Sequence, residues 1–192
     1  MHPRTRELLT YLDDQRAVLR AAFDRVPPAV CARRPSPESW SPAGIVEHLA
    51  IVETGLGGRF ALLIAEARRK GLGPDPDVTP VVPTLNVKGI VGRVRRIQSA
   101  PTLAPTGLHA RDAWAALEHA GIGIRDVLAG SDGLALGTIS MPHPSLGELS
   151  LYQWFAFVAA HEGRHAAQID EALASFGLSG SSERFPGTPR AT

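Results

Sequence analysis

A chain of 192 residues is long enough for one domain with a substantial core, and 20 basic against 19 acidic side chains leave a formal charge of +1, which removes any electrostatic case for a nucleic-acid or strongly anionic partner. Cys31 is the single cysteine, so no intramolecular disulfide can form. The first residues lack the apolar core of a signal peptide and no run reaches membrane-spanning length; the expectation is a soluble, cytoplasmic protein with no membrane partner.

Leu8, Leu12, Gln15, Leu19 and Ala22, backed by Val18 and Phe23, recur at helical spacing and predict a first helix from about Pro3 to Arg25. Pro27 and Pro28 end it, because proline cannot donate to a helical ladder. After a loop, Trp40-Ser41-Pro42 reads as a helix start, with Ser41 as N-cap, Pro42 as the first helical residue and Trp40 placed to pack on Ile45. The second helix, about Pro42 to Lys70, carries Ile45, Leu49, Val52, Leu56, Phe60 and Leu63 on one arc. His48 stands at the edge of that arc, roughly 40° from Val52. Gly44 and Gly55 lie almost directly below and above it; they either clear space beside the histidine or permit close helix packing.

From Gly71 to Pro105 the chain is rich in Pro and Gly and long for a loop in a compact domain. It reads as a crossover that joins two helices without making them antiparallel neighbours and covers one mouth of a bundle, with room for a short helix in GIVGRVRRIQ. Lys88, Arg93, Arg95 and Arg96 form a basic cluster within it, either a solvated face or a receiver for an anionic substrate group. A third helix follows, about Ala110 to Leu128, with Trp114, Leu117, Gly121, Ile124 and Leu128 inward and His119 off that face. His109, at its start, and His2, at the chain's beginning, are poorly placed as ligands. GSDG at 130–133 stops the helix, and a β-like run leads into the turn-rich MPHPSLG, where His143 shapes the approach to the last helix. The Ser-, Gly- and Pro-rich stretch 179–192 is expected to be a flexible tail, leaving 1–178 as a single domain.

The last helix, Ser150 to Phe176, reads SLYQWFAFVAAHEGRHAAQIDEALASF. Its apolar residues Leu151, Phe155, Val158, Ile169, Ala172 and Phe176 keep a helical period, with Glu162 and His165 filling the gaps. His161 and His165 therefore sit one turn apart on the face this helix must bury. An unpaired buried imidazole nitrogen costs on the order of 1–3 kcal/mol, so both need partners. A divalent metal would satisfy the pair; carbonyls and a carboxylate would do so in an ordinary core.

Taken literally, His161-Glu162-Gly163-Arg164-His165 is the H-E-x-x-H signature of zinc proteases, in which Glu162 would be the general base. The extended form fails, since no histidine follows His165, Glu183 lies in the tail, and no convincing sheet is present in the sequence.

A second resemblance covers most of the chain. SWSPAGIVEHLAIVE and HPSLGELSLYQWFAFVAAHEGRHAAQID resemble the DinB/YfiT-like superfamily in the Trp-Ser entry to helix two, the His-Leu within it, and the His-Pro approach to H-x-x-x-H-x-x-Gln-Ile. The resemblance implies an all-α four-helix bundle with a long crossover between helices 2 and 3. It also implies a metal held by His48, His161 and His165, the positions that match the family's ligands. Glu162 is incidental to that pattern and stands as a catalytic candidate only on the protease reading. Three neutral imidazoles would leave a divalent ion such as Zn²⁺ or Ni²⁺ with an open position. The family includes metal-dependent hydrolases as well as transferases and isomerases that use low-molecular-weight thiols, and its members commonly dimerise. The expectation is thus a homodimeric, metal-dependent transferase joining such a thiol to a small electrophilic substrate. A hydrolase at the same site, or a non-catalytic metal- or ligand-binding stress-response protein, are the alternatives.

Overall fold

The computed structural model describes residues 1–91 and 100–178. Helix α1 (Pro3–Asp24) is followed by α2 (Pro42–Arg69), a short α3 (Val87–Val91) inside the crossover, and α4 (Ala110–Ala129). An antiparallel hairpin, β1 (Ser140–His143) with β2 (Gly147–Ser150), then delivers the chain to α5 (Leu151–Ser175). Local chemistry sets these boundaries. Gly44 N donates to Ser41 Oγ at 3.1 Å, with Pro42 in the first turn of α2. Ser150 and Gln153 cap α5 reciprocally, Gln153 N on Ser150 Oγ at 3.3 Å and Ser150 N on Gln153 Oε1 at 3.0 Å.

The long helices form a four-helix bundle in which α2 packs chiefly along α4, and α1 along α5. Both pairs run parallel. Arg4 lies over the Tyr152 ring at one end of α1 and α5, and Arg25 pairs with Asp170 at the other. Glu47, near the start of α2, holds the backbone leading into α4, whereas Arg68, near its end, donates to Gly130 O beyond α4. Parallel neighbours require the chain to travel back along the whole of α2, about 42 Å at ~1.5 Å per residue, which is the reason for the crossover's length. The crossover is tied down along its way. Val81 N and Val82 N donate to Glu7 at 2.7 and 3.1 Å, and Arg164 Nη1 donates to Ile90 O at 2.8 Å. Of its basic cluster Lys88 is exposed, while Arg93, Arg95 and Arg96 fall outside the described residues, as does the tail expected at 179–192.

Two apolar clusters fill the bundle. Leu8, Leu12, Phe60, Ile124, Leu128 and Phe155 centre one, and Leu19, Ile45, Leu49, Leu117 and Ile169 centre the other, each residue essentially inaccessible. Burial of such side chains contributes about 1.5–3 kcal/mol apiece. Between the clusters lies a charged layer. Arg16 Nε donates to Glu162 Oε2 at 2.7 Å, its Nη2 to Glu53 Oε2 at 2.8 Å and Glu162 Oε1 at 3.0 Å, and its Nη1 to Leu117 O at 3.1 Å. One guanidinium thereby joins all four long helices. A Cβ on Gly121 would stand 2.7 Å from Arg16 Nη2, so that glycine supplies the room the guanidinium occupies.

Two details differ from the sequence reading. Val18, expected to back the first helix's inner face, is 50 % exposed. Helix α2, in which no spanning run was expected, is long and apolar enough to cross a membrane by length and composition, with a mean hydropathy of 1.3 over its best window. Its Glu47, His48 and Glu53 are nonetheless buried against protein partners in the bundle and crossover.

Candidate metal centre

His48 is carried by the second turn of α2 and His161 and His165 by successive turns of α5. The packing of α2 on α5 brings the three imidazoles together, one nitrogen of each lying within 4.8 Å of the others. Nε2 of His161 and Nε2 of His165 are 3.0 Å apart. Two nitrogens bound at ~2.0–2.1 Å to one tetrahedral ion would stand roughly 3.3 Å apart, so the pair fits a shared ion with little rearrangement. His2, His109, His119 and His143 do not join the group. His119 is exposed, and His143 Nδ1 instead accepts Ser145 N and Leu146 N at 3.1 and 3.2 Å, holding the hairpin turn.

Each ring is oriented by a partner. His48 Nδ1 donates to Leu103 O at 2.8 Å and His165 Nδ1 to Gln168 Oε1 at 2.8 Å, which leaves each Nε2 lone pair facing the group. Trp40 covers His48 with ring centres 4.5 Å apart, and Phe157 stacks on His161 at 5.3 Å. Burial depresses the His48 pKa, outweighing the upward pull of its bond to Leu103 O. Loss of hydration, with smaller contributions from His48, Arg164 and His143, pushes His161 down to about 3. Imidazoles kept neutral at neutral pH are the form that binds a divalent cation. The three-histidine group could therefore hold a metal ion.

Glu162 lies elsewhere. It is inaccessible to solvent and both its oxygens receive Arg16, so its carboxylate belongs to the charged layer and not to the histidine group. Desolvation and the neighbouring Glu162 hold the Glu53 pKa well above its ordinary carboxylate value despite the opposing pull of Arg16. A signal for this layer exists in the sequence. Arg16 falls between Leu12 and Leu19, Glu53 between Leu49 and Leu56, and Glu162 between Val158 and His165, each on its helix's apolar stripe.

The glycines flanking His48 do not clear space for a ligand. A Cβ on Gly44 would meet Pro105 Cγ and Ser41 Oγ at 3.3 Å, so Gly44 admits the crossover; Gly55 is exposed with nothing within 4 Å of such an atom. Glu47 was not singled out by its pattern. It is 2 % exposed and accepts four bonds from residues 106–108, which outweigh desolvation and hold its pKa below the usual value.

Compared with known proteins, the chain matches the family model of the DinB superfamily over residues 11–169. It is similar in fold to the crystal structure of TT2238, a four-helix bundle protein, with a TM-score of 0.54 and 20% identity, covering 87% of this chain and 98% of that one. No curated protein matches it in sequence.

Proposed function

Because the chain belongs to the DinB superfamily, we propose that it holds a divalent ion, Zn²⁺ or Ni²⁺, at His48, His161 and His165 and transfers a low-molecular-weight thiol to a small electrophilic substrate. The observation that carries the reading is the convergence of three imidazole nitrogens within 4.8 Å, with no fourth His, Cys, Asp or Glu joining them among the described residues. Three neutral protein ligands are the donor set of an ion that keeps a position for an exogenous molecule.

The chain's own contributions follow from the geometry. Leu103 O and Gln168 Oε1 fix two rings with Nε2 unprotonated, and burial keeps His48 and His161 neutral. Trp40 and Phe157 lay apolar surface against His48 and His161, offering a face to an apolar acceptor. A bound divalent ion would supply Lewis acidity, lowering the pKa of a thiol or a water beside it. In the transfer a carbon–sulfur bond forms, the acceptor's leaving group departs, and the thiol proton passes to solvent. Water in place of the thiol would make the same site a hydrolase.

Metal analysis of the purified protein, then turnover of activated electrophiles and esters with the metal removed and restored and the thiol omitted, tests this. Turnover needing both metal and thiol supports the transferase, and turnover needing metal alone supports the hydrolase. Metal binding without turnover under any combination leaves a non-catalytic binding protein. We also propose that two copies pair through the outer faces of α2 and α4, where Leu62 is 66 % and Ile122 58 % exposed. Light scattering that reports a monomer at micromolar concentration would contradict the pairing.

A further inference from the structure

Glu47 immediately precedes His48, and its carboxylate serves a different segment from its own helix. Thr106 N and Oγ1 donate to one oxygen at 2.7 and 2.6 Å, and Gly107 N and Leu108 N each donate to the other at 2.9 Å. Three consecutive amides converging on one anion form a nest, and the φ of 105° at Gly107, a conformation glycine adopts freely, turns the backbone to make it. A buried carboxylate is costly unless charge-assisted bonds replace its hydration. An apolar side chain could cover the loop at less cost. What the carboxylate adds is register, because each amide must aim at it.

Register here reaches the histidine. Only Ala104 and Pro105 separate the nest from Leu103, whose carbonyl receives His48 Nδ1 at 2.8 Å. Pro105 has a fixed φ and packs against α2 at Gly44, where a Cβ would stand 3.3 Å from its Cγ. The segment 103–108 thus meets α2 at Gly44, Glu47 and His48, positions on adjacent turns of one side. A slip of the nest would carry the Leu103 carbonyl away from Nδ1 and release the ring from its tautomer.

We propose that Glu47 is a positioning residue for His48: by fixing residues 106–108 it sets the Leu103 carbonyl, and through that carbonyl the tautomer and angle of the ring. The inference rests on the three-histidine reading above for its consequence on metal. In Glu47→Gln an amide group faces the loop's own N–H donors; Thr106→Val removes one of the four bonds and leaves the rest. Two readouts are needed, the ring ¹⁵N shifts of His48 in the metal-free protein and Zn²⁺ affinity by competition with a chromogenic chelator. The wild type should show a single tautomer protonated at Nδ1. Glu47→Gln should lose it and bind Zn²⁺ about tenfold more weakly, and Thr106→Val should move both readouts less, in the same direction. Leu128→Ala, in the other core cluster, should lower stability and leave both unchanged.

Folded Glu47→Gln with the wild-type tautomer and affinity overturns the proposal; should that variant not fold, the same result for Thr106→Val overturns it. Equal losses in Leu128→Ala overturn it as well, by reducing the effect to general stability. If the wild type binds no Zn²⁺ but the His48 tautomer still follows Glu47, the positioning role stands and the metal reading falls.

Discussion

Nε2 of His161 faces Nε2 of His165 across 3.0 Å, with His165 Nδ1 committed to Gln168. Two lone pairs at that distance repel unless a proton or a cation lies between them, so the pair is arranged to share one. Replacing His48, His161 or His165 singly with alanine should lower bound metal severely, while the exposed His119→Ala should leave it unchanged. Metal content by mass spectrometry after dialysis checks this, and equal occupancy in all four variants would refute a shared site.

The depressed imidazoles also set a pH dependence. An unfolded histidine takes its proton near pH 6.5, whereas His161 in the fold does so only near 3, and His48 below its usual value. Their contribution to stability is therefore complete above about pH 6.5 and is lost as pH falls from there towards about 3, because the unfolded chain binds protons that the fold refuses. Glu47 acts in the same sense but lower, since its depressed pKa is felt only below its ordinary carboxylate value. Denaturant midpoints of the metal-free protein should fall from pH 7 to pH 5, and His161→Gln should flatten that slope. A slope unaltered in the variant would count against a neutral His161.

The charged layer predicts an asymmetry between its members. Removing Arg16 leaves two adjoining carboxyls without a cation, and Arg16→Ala should cost about 3–5 kcal/mol of unfolding free energy. The Glu53 pKa is held well above its ordinary value, so Glu53→Gln, which keeps the shape and removes the charge, should cost far less than Arg16→Ala at pH 7. Because its pKa is raised, Glu53 contributes stability below its unfolded pKa that is lost as pH rises through the folded one. Chemical denaturation of both variants decides the matter; equal destabilisation would mean that Glu53 is ionised.

Two glycines should respond oppositely to alanine. Gly55 is exposed with open space around it, so Gly55→Ala should stabilise α2 by roughly 1 kcal/mol. Gly121→Ala gains the same helix propensity but drives a methyl group to 2.7 Å from Arg16 Nη2, on a side chain pinned by Glu53, Glu162 and Leu117 O. It should be net destabilising. Thermal melts of the pair suffice, and a stabilised Gly121→Ala would show that the guanidinium can move aside.

By itself the sequence determined the long helices, the cap at Ser41, and the placing of His161 and His165 one turn apart on one face of the last helix. Those features arise within a single helix, from neighbours three and four residues apart, so the local pattern contains them. It also singled out His48, by its place at the edge of the second helix's apolar arc and by the resemblance that makes it a ligand. Only the tertiary structure decided that α2 and α4 run side by side in the same direction, that Arg16 answers both Glu53 and Glu162, and that Gly44 admits Pro105 where the pattern allowed open space. Each of these is a relation between stretches distant in sequence. An inward arginine and an inward glutamate each look like a flaw in their own helix's stripe, and they become an ion pair only when packing sets them at the same level of the bundle.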